Sequence, residues 1–145
     1  MHIMIHVRSL RYKVDELEAV LLDNLVDFAC ITETWLSPDL PTDIVDISGY
    51  ACIRRDRSDG RQGGGIACYV RRDLPFVRLS HLEKPGLESL WLLFRSSRMP
   101  RWLSHIGVGI IYNPPNADDR ALFNHIIACV DEITRLHPYA GIVVA

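Results

Sequence analysis

The sequence lacks the two features that most readily assign a protein to a class: a long apolar run and a strong net charge. No apolar stretch approaches the roughly 20 residues that a membrane-spanning helix needs. The N-terminal segment is too short for a signal peptide and leads directly into an amphipathic pattern. Because the net charge is only −2, any phosphate binding has to depend on local groups. We expect a soluble intracellular protein, nuclear or cytoplasmic, that does not bind membranes.

Several sequence motifs of known chemistry are also missing. The pattern C-x-x-C does not occur among Cys30, Cys52, Cys68 and Cys129. Their apolar surroundings are typical of buried thiols in a reducing compartment, which argues against a structural zinc site or a disulfide framework. The glycine-rich loops of nucleotide-binding proteins, the G-x-S-x-G pattern of serine hydrolases and a histidine metal motif are absent as well.

Short apolar runs predict a protein rich in strands. The 145 residues, 48% of them hydrophobic, are enough for one domain. Strands are predicted at residues 2–7, 27–32, 50–54, 66–70, 75–80, 87–94, 104–112 and 141–145.

Two segments have the spacing of amphipathic helices. The first begins after Ser9 as its N-cap, ends near Asn24, and has the apolar stripe Leu10, Val14, Leu17 and Leu21. The second opens at Asp118 and Asp119 and closes at His137, with the stripe Leu122, Ile126, Cys129, Ile133 and Leu136. The resulting order of elements predicts a mixed α/β fold.

Glu33 is the first candidate for chemistry, because it follows a buried apolar run directly. Ligands gather at the carboxyl ends of strands in open α/β sheets. A single carboxylate there suits Mg²⁺, which takes one or two protein carboxylates and completes its octahedron with water and phosphate oxygens. The alternative is a solvated or helix-capping glutamate.

Tyr112 is the second candidate. It ends a predicted strand and precedes Pro114 and Pro115, which cannot continue a sheet ladder. Its phenol is therefore predicted at the mouth of a loop, where it could hydrogen-bond a phosphate. The alternative is an amphipathic tyrosine at the rim of a sheet.

The segment from Arg54 to Gly65 carries the clearest local charge. Between residues 54 and 73, six arginines stand against three aspartates. Arg54, Arg55 and Arg57 could pair with the phosphates of a nucleic acid, and three successive glycines allow a close backbone approach. The alternative is a solvated hairpin with a flexible glycine tip.

Five segments taken together resemble the endonuclease/exonuclease/phosphatase family, in particular the endonuclease domain of non-LTR retrotransposon polyproteins. They are residues 7–13, 31–36, 49–57, 63–67 and 112–116, which follow one another in register over nearly the whole chain. The resemblance implies a four-layer α/β/β/α sandwich and a phosphodiesterase that depends on Mg²⁺ or Mn²⁺. It also implies Glu33 as a metal ligand, Tyr112 and Asn116 as residues on the phosphate side, DNA as substrate, and a downstream reverse transcriptase domain.

Two departures from the family pattern bear on whether the chain is an active endonuclease. His6 stands where the family usually has an asparagine, and the G-D-F-N-like motif of the family is expected directly after Ala145. We therefore expect residues 1–145 to be the N-terminal part of an endonuclease domain, inactive alone. A non-catalytic remnant or interaction module on the same scaffold is the alternative, and a phosphoesterase acting on a small molecule is a weaker one. The hypothesis depends on Glu33 and Tyr112 facing one phosphate.

Overall fold

A computed structural model describes residues 2–95 and 98–145, and these form two compact units. The first unit ends at Asp73 and the second begins at Leu74. Each unit contains one four-stranded mixed sheet and one α-helix. The mixed α/β class predicted from the sequence is therefore confirmed.

The sheet of the first unit has the order β1-β2-β4-β3. Its strands are β1 (His2–His6), β2 (Phe28–Thr32), β3 (Tyr50–Arg55) and β4 (Ile66–Arg71). β1 is parallel to β2, whereas β4 runs antiparallel to both β2 and β3. Every residue of β2 is buried, as expected for an apolar strand with neighbours on both edges. Because β1 and β2 are parallel, their carboxyl ends meet at one edge of the sheet.

The first helix, α1 (Val14–Asp23), begins later than the sequence predicts. Leu10–Tyr12 forms a separate 3-10 turn, and Ser9 precedes it with φ of 59° and no side-chain capping bond. Ser9 as the N-cap of the α-helix was therefore wrong. The predicted apolar stripe is right in its burial, because Leu10, Leu17 and Leu21 all belong to the core of this unit.

The sheet of the second unit has the order β5-β6-β7-β8. Its strands are β5 (Phe76–Arg78), β6 (Glu88–Phe94), β7 (Ile106–Tyr112) and β8 (Gly141–Val144). The first three form an antiparallel meander, and β8 lies parallel to β7 after the helix α2 (Asp119–Leu136). The strand predicted over 75–80 is shorter in the structure, because Ser80–Leu82 turns into a 3-10 helix.

The second helix begins where the sequence predicts. The side chain of Asp118 accepts hydrogen bonds from the backbone N–H groups of Arg120 and Ala121, at 3.0 and 3.1 Å, which satisfies two donors of the first turn. The predicted apolar stripe differs from the buried face of α2 at two residues. His125, which was not predicted to belong to the stripe, is buried, and Leu136, which was, is half exposed.

Trp91 is the centre of the core between α2 and the sheet of the second unit. Its side chain is fully buried and packs with Cys129 and Ile133 of α2. Gly109 on the neighbouring strand lies beneath the indole, since a Cβ at that position would come within 2.6 Å of Trp91. In the part of the chain that the structure describes, no helix is both long and apolar enough to cross a bilayer.

Candidate metal and phosphate site

Glu33 lies immediately beyond the carboxyl end of β2, in a backbone turn that places its side chain within the first unit. Its φ is +60° and that of Trp35 is +56°, a left-handed conformation that costs a non-glycine residue about 1–2 kcal/mol. The Glu33 side chain is buried, with 9% of the residue exposed. Strained backbone of this kind is common at functional sites, and here it turns a carboxylate inward at a sheet edge.

Two donors fix the Glu33 carboxylate. Its Oε2 accepts a hydrogen bond from Nε1 of Trp35 and another from the backbone N–H of Gly64, at 3.3 Å. Hydrogen bonds from an indole N–H and a peptide N–H restrict how the carboxylate can turn. The arrangement therefore holds the Glu33 carboxylate in a defined position.

The three successive glycines at 63–65 form the wall opposite Glu33 and are not a free hairpin tip. The backbone N–H groups of Thr34 and Trp35 donate to the carbonyls of Gly65 and Gly64, at 3.2 and 3.0 Å. All three glycines have φ between 68° and 83°, and a Cβ at Gly65 would lie 2.5 Å from Oγ1 of Thr34. At Gly65, only glycine fits both the backbone conformation and the space.

His6 lies at the same edge as Glu33. It ends β1 and pairs in register with Thr32 of β2, and its Nδ1 is 3.0 Å from Oγ1 of Thr32. The family resemblance implies an asparagine of the metal site at this position. The structure shows that the histidine and the carboxylate do share one edge of the first sheet.

The three candidate arginines have different surroundings. Arg54 donates to both carboxylate oxygens of Asp56 and to the carbonyls of Leu40 and Ser37, and the hydrogen bond to Asp56 raises the pKa of Arg54. These contacts tie the loop after Trp35 to β3. Such a guanidinium favours a structural role.

Arg57 lies closer to the carboxylate. Its Nη1 donates to the carbonyl of Gln62 at 3.0 Å, and a Cβ at Gly64 would come within 2.3 Å of its Cζ. Since the N–H of Gly64 bonds Glu33, Arg57 brings a positive charge next to the Glu33 edge. Arg55 is the last residue of β3 and is half-buried.

Tyr112 lies in the second unit, at the carboxyl end of β7 and opposite Glu88 of β6. The turn that follows is held by the N–H of Ala117, which donates to the carbonyl of Pro114 at 3.1 Å, and by a bond from the Asn113 amide to Asp119. Asn116 is exposed in this turn with φ of 64°. Tyr112 and Asn116 therefore belong to one structured loop.

The carboxyl end of β8 reaches the same edge of the second sheet as Tyr112. The N–H of Ile111 donates to the carbonyl of Ala145, and the N–H of Ala145 donates to the carbonyl of Gly109, both at 2.8 Å. Glu33 and Tyr112 fall in different units, and the expectation that they face one phosphate stays a prediction.

One polar cluster was not predicted from the sequence. Oγ of Ser89 lies 3.0 Å from Nε2 of His125, and Sγ of Cys129 lies 3.6 Å from the same nitrogen. All three side chains are buried between β6 and α2. The histidine follows Leu122 at the spacing of a helical stripe, which is the signal that could have placed it inside.

The donor set determines which ion the Glu33 edge could hold. In residues 2–95 and 98–145, no group of three or more histidine, cysteine, aspartate or glutamate side chains could hold a metal ion. What is present is one fixed carboxylate, which fits a hard cation that takes one protein carboxylate and completes its shell with water and phosphate oxygens.

Comparison with known proteins identifies the fold. No family model matches the sequence, and no curated protein matches it either. Solved structures do match, and they show that the chain has the fold of endonuclease/exonuclease/phosphatase proteins. The fold expected from the five sequence segments is thereby confirmed.

The similar structures include nucleases. The endonuclease domain of TRAS1, a telomere-specific non-LTR retrotransposon, matches with a TM-score of 0.67 and 11% identity over 98% of this chain and 57% of that one. The 3′ phosphatase NExo from Neisseria, bound to a product DNA hairpin, matches with a TM-score of 0.59 and 17% identity over 98% and 55%. The AP endonuclease LMAP from Leishmania major matches with a TM-score of 0.59 and 17% identity over 94% and 46%. The chain thus spans a little over half the length of the first two structures.

Proposed function

We propose that this chain forms the N-terminal part of a divalent-metal-dependent endonuclease domain of retroelement type, which hydrolyses DNA phosphodiesters. The observation that supports it most directly is the Glu33 carboxylate. It is buried at the carboxyl end of β2 and fixed there by Trp35 and Gly64. A carboxylate fixed at the carboxyl end of a strand is the kind of ligand that Mg²⁺ takes while water and phosphate oxygens complete its coordination shell.

Glu33 is the residue that would hold Mg²⁺ or Mn²⁺. Such an ion, when bound, stabilises the charge that develops on a phosphate under attack. The protein's own contribution is to hold the carboxylate in one orientation through the N–H donors of Trp35 and Gly64. Arg57, held against Gly64, adds a positive charge that a DNA phosphate would meet at the same edge.

Tyr112 is the proposed contact to the phosphate from the second unit. Its phenol can donate a hydrogen bond to a non-bridging oxygen, and Asn116 in the following turn offers an amide for the same purpose. The resemblance places a G-D-F-N-like segment after Ala145. Because β8 ends beside β7, that segment would emerge at the Tyr112 edge, where an aspartate and an asparagine could orient the attacking water.

We therefore expect hydrolysis only when those later groups are present. Residues 1–145 contribute metal binding and phosphate contacts, and the downstream reverse transcriptase domain of a retroelement protein would use the nicked strand. Arg55 and Arg57 are proposed to contact the DNA backbone, whereas Arg54 supports the loop beneath them through its bonds to Asp56.

The test is a plasmid-nicking assay with the chain extended through the next in-frame residues. We expect Mg²⁺-dependent conversion of supercoiled to nicked DNA and a loss of at least 100-fold in Glu33→Gln and Tyr112→Phe, since each removes charge stabilisation in the transition state. Arg135→Gln, on the surface of α2, is the matched control and should cut normally. Equal nicking by Glu33→Gln and the parent protein would remove Glu33 from the mechanism.

A non-catalytic module on the same scaffold is the second candidate. The observation that favours it is His6, an imidazole at the same sheet edge as Glu33, where the resemblance expects an amide. If the extended protein binds DNA but nicks none of it with Mg²⁺ or Mn²⁺, and His6→Asn does not restore nicking, this second function replaces the first.

A further inference from the structure

The connection between β6 and β7 carries positive charge outside the candidate metal and phosphate site. Residues 95–105 include three arginines and a histidine, and neither aspartate nor glutamate occurs among them. Arg78 and Arg135 of the same unit form ion pairs with Glu83 and Glu132. Arg95 and Arg101, in contrast, have no ion pair with any residue in the described ranges 2–95 and 98–145. Both are exposed, so their charge is directed to solvent.

The end of this connection is fixed against the segment before β8. The N–H of Ser104 donates to the carbonyl of Tyr139 at 3.1 Å, and the N–H of Gly141 donates to the carbonyl of His105 at 2.9 Å. The rings of His105 and His137 lie with their centroids 4.3 Å apart. Two stretches that are distant in sequence thus form one surface.

Two large aromatic side chains stand on this surface in water. Trp102 is 72% exposed and Tyr139 is 74% exposed. Trp102 directly follows Arg101 in sequence, and the carbonyl of Tyr139 accepts a hydrogen bond from the N–H of Ser104, the residue before His105. Exposed aromatic rings among arginines are the composition of surfaces that stack bases and neutralise phosphates.

The surface is also concave. A cavity of about 470 Å³ is lined by Arg95, Arg101, Ser104 and His105 together with the apolar side chains of Met99, Pro100 and Leu103. A space of this size is within the range of ligand pockets. Its lining combines cationic groups for a phosphate with apolar groups for a flat ring.

This surface is separate from the Tyr112 edge. Along β7, Ile106 pairs with Phe94 and Tyr112 pairs with Glu88, so the connection and Tyr112 are at opposite ends of the same strand. At about 3.3 Å per residue, the strand places them about 20 Å apart.

We propose that Arg95, Arg101, Trp102, His105 and Tyr139 form a docking surface for single-stranded nucleic acid. The arginines contact phosphates, and the two aromatic rings stack on bases, without reading the sequence. The nucleic acid would bind here at a distance from the Tyr112 edge, so this proposal does not rest on the proposed function.

An anionic membrane is the other polyanion that arginine and tryptophan could meet. Membrane docking relies on a protruding apolar face that enters the lipid. Here the apolar side chains Met99, Pro100 and Leu103 line a cavity instead, which suits a base better than a bilayer. Binding to anionic vesicles is therefore measured alongside binding to nucleic acid, as the result that would contradict the proposal.

The experiment measures fluorescence anisotropy of a labelled 12-nucleotide oligo(dT) with the full chain in EDTA, where no metal-dependent hydrolysis occurs. We expect binding that weakens with salt, and an affinity at least 10-fold lower in Arg101→Gln/Trp102→Ala. Each arginine removed should reduce the slope of log K against log salt by about 1. A duplex of the same length should bind more weakly, because its bases are not available for stacking.

Matched control variants distinguish binding at this surface from a non-specific effect of any exposed arginine or aromatic ring. Arg135→Gln removes one exposed arginine from the same unit, and Tyr12→Ala removes a ring that is 76% exposed elsewhere. Both should bind as the parent chain does, and all variants should keep its melting temperature. Unchanged binding in Arg101→Gln/Trp102→Ala, or binding to phosphatidylserine vesicles without binding to oligo(dT), would overturn the proposal.

Discussion

Nδ1 of His6 lies 3.0 Å from Oγ1 of Thr32, the residue that directly precedes Glu33. The contact fixes the imidazole at the edge where the carboxylate is held. An imidazole suits Zn²⁺ or Ni²⁺, whereas an amide or carboxylate oxygen suits Mg²⁺ and Mn²⁺. In the proposed metal-binding role of this edge, the side chain at position 6 would influence which ions bind there.

We expect His6→Asn to raise the affinity for Mg²⁺ on the order of 10-fold, in line with the effect of residues around metal ligands, and to lower the affinity for Zn²⁺. Isothermal titration of both ions into the chain measures the change. Thr32→Val, which keeps the imidazole and removes its partner, should not improve Mg²⁺ binding. An identical Mg²⁺ affinity in His6→Asn and the parent chain would contradict the role of this position.

Gly65→Ala should destabilise the first unit far more than Gly60→Ala. Both glycines have positive φ, +83° and +81°, but a Cβ at Gly65 would lie 2.5 Å from Oγ1 of Thr34, whereas nothing lies within 4 Å of a Cβ at Gly60. The backbone conformation alone costs about 1 kcal/mol, and overpacking at Gly65 adds about 2 kcal/mol. Urea unfolding gives both values. Similar free energies of unfolding in the two variants would mean that the Thr34 contact does not constrain the glycines.

Gly109→Ala tests the packing of Trp91. A Cβ at Gly109 would come within 2.6 Å of the indole, while the nearest atoms at Gly107 belong to Ile133 at 3.4 Å. We expect Gly109→Ala to lower the free energy of unfolding by about 2 kcal/mol and Gly107→Ala to change it by less than about 0.5 kcal/mol. In a Trp91→Leu background the cost of Gly109→Ala should shrink, since the two residues are in contact. An additive double mutant would argue that the indole does not occupy this space.

The stability of the chain should depend on pH through His105. Burial and the neighbouring charges of His137 and Arg95 lower the pKa of His105 from its ordinary value of 6.5. The unfolded chain therefore takes up a proton at a higher pH than the folded chain does. The free energy of unfolding should be independent of this group well above pH 6.5 and fall as the pH drops below it.

Urea unfolding between pH 8 and pH 5 measures this dependence, with the acidic loss smaller in His105→Asn than in the parent chain. His81→Asn is the control, because that histidine is exposed on another part of the unit. If His105→Asn loses stability toward low pH as steeply as the parent chain, another group is responsible.

Much of the fold could be predicted from local patterns, because apolar alternation and turn residues act over short distances. The bounds of β2, β6 and β7 and the capping of α2 by Asp118 follow from residues close in sequence. The prediction of Ser9 as an N-cap was wrong although a serine before an apolar stripe is typical of one. A 3-10 turn separates Ser9 from the α-helix. Nothing local distinguishes these two geometries.

The site was predictable in its residues and not in its geometry. Glu33 at a strand end could be found from the apolar run before it. That the Gly64 amide holds the carboxylate depends on the pairing of β2 with β4, because Glu33 and Gly64 are 31 positions apart in sequence. The glycines at 63–65 could be interpreted from the sequence as a flexible hairpin tip. In the structure their backbone is fixed by hydrogen bonds to Thr34 and Trp35, which are also distant in sequence.

The parallel pairing of β7 with β8 has a consequence for the order of folding. β5, β6 and β7 pair with their sequence neighbours, so this meander requires only short loops to close. β8 is separated from β7 in sequence by α2, so we expect it to pair only after that helix has packed on the sheet. Until then, β7 should present an unpaired edge containing Gly107 and Gly109. In pulse-labelled hydrogen exchange during refolding, the amides bonded between β7 and β8 should therefore become protected last.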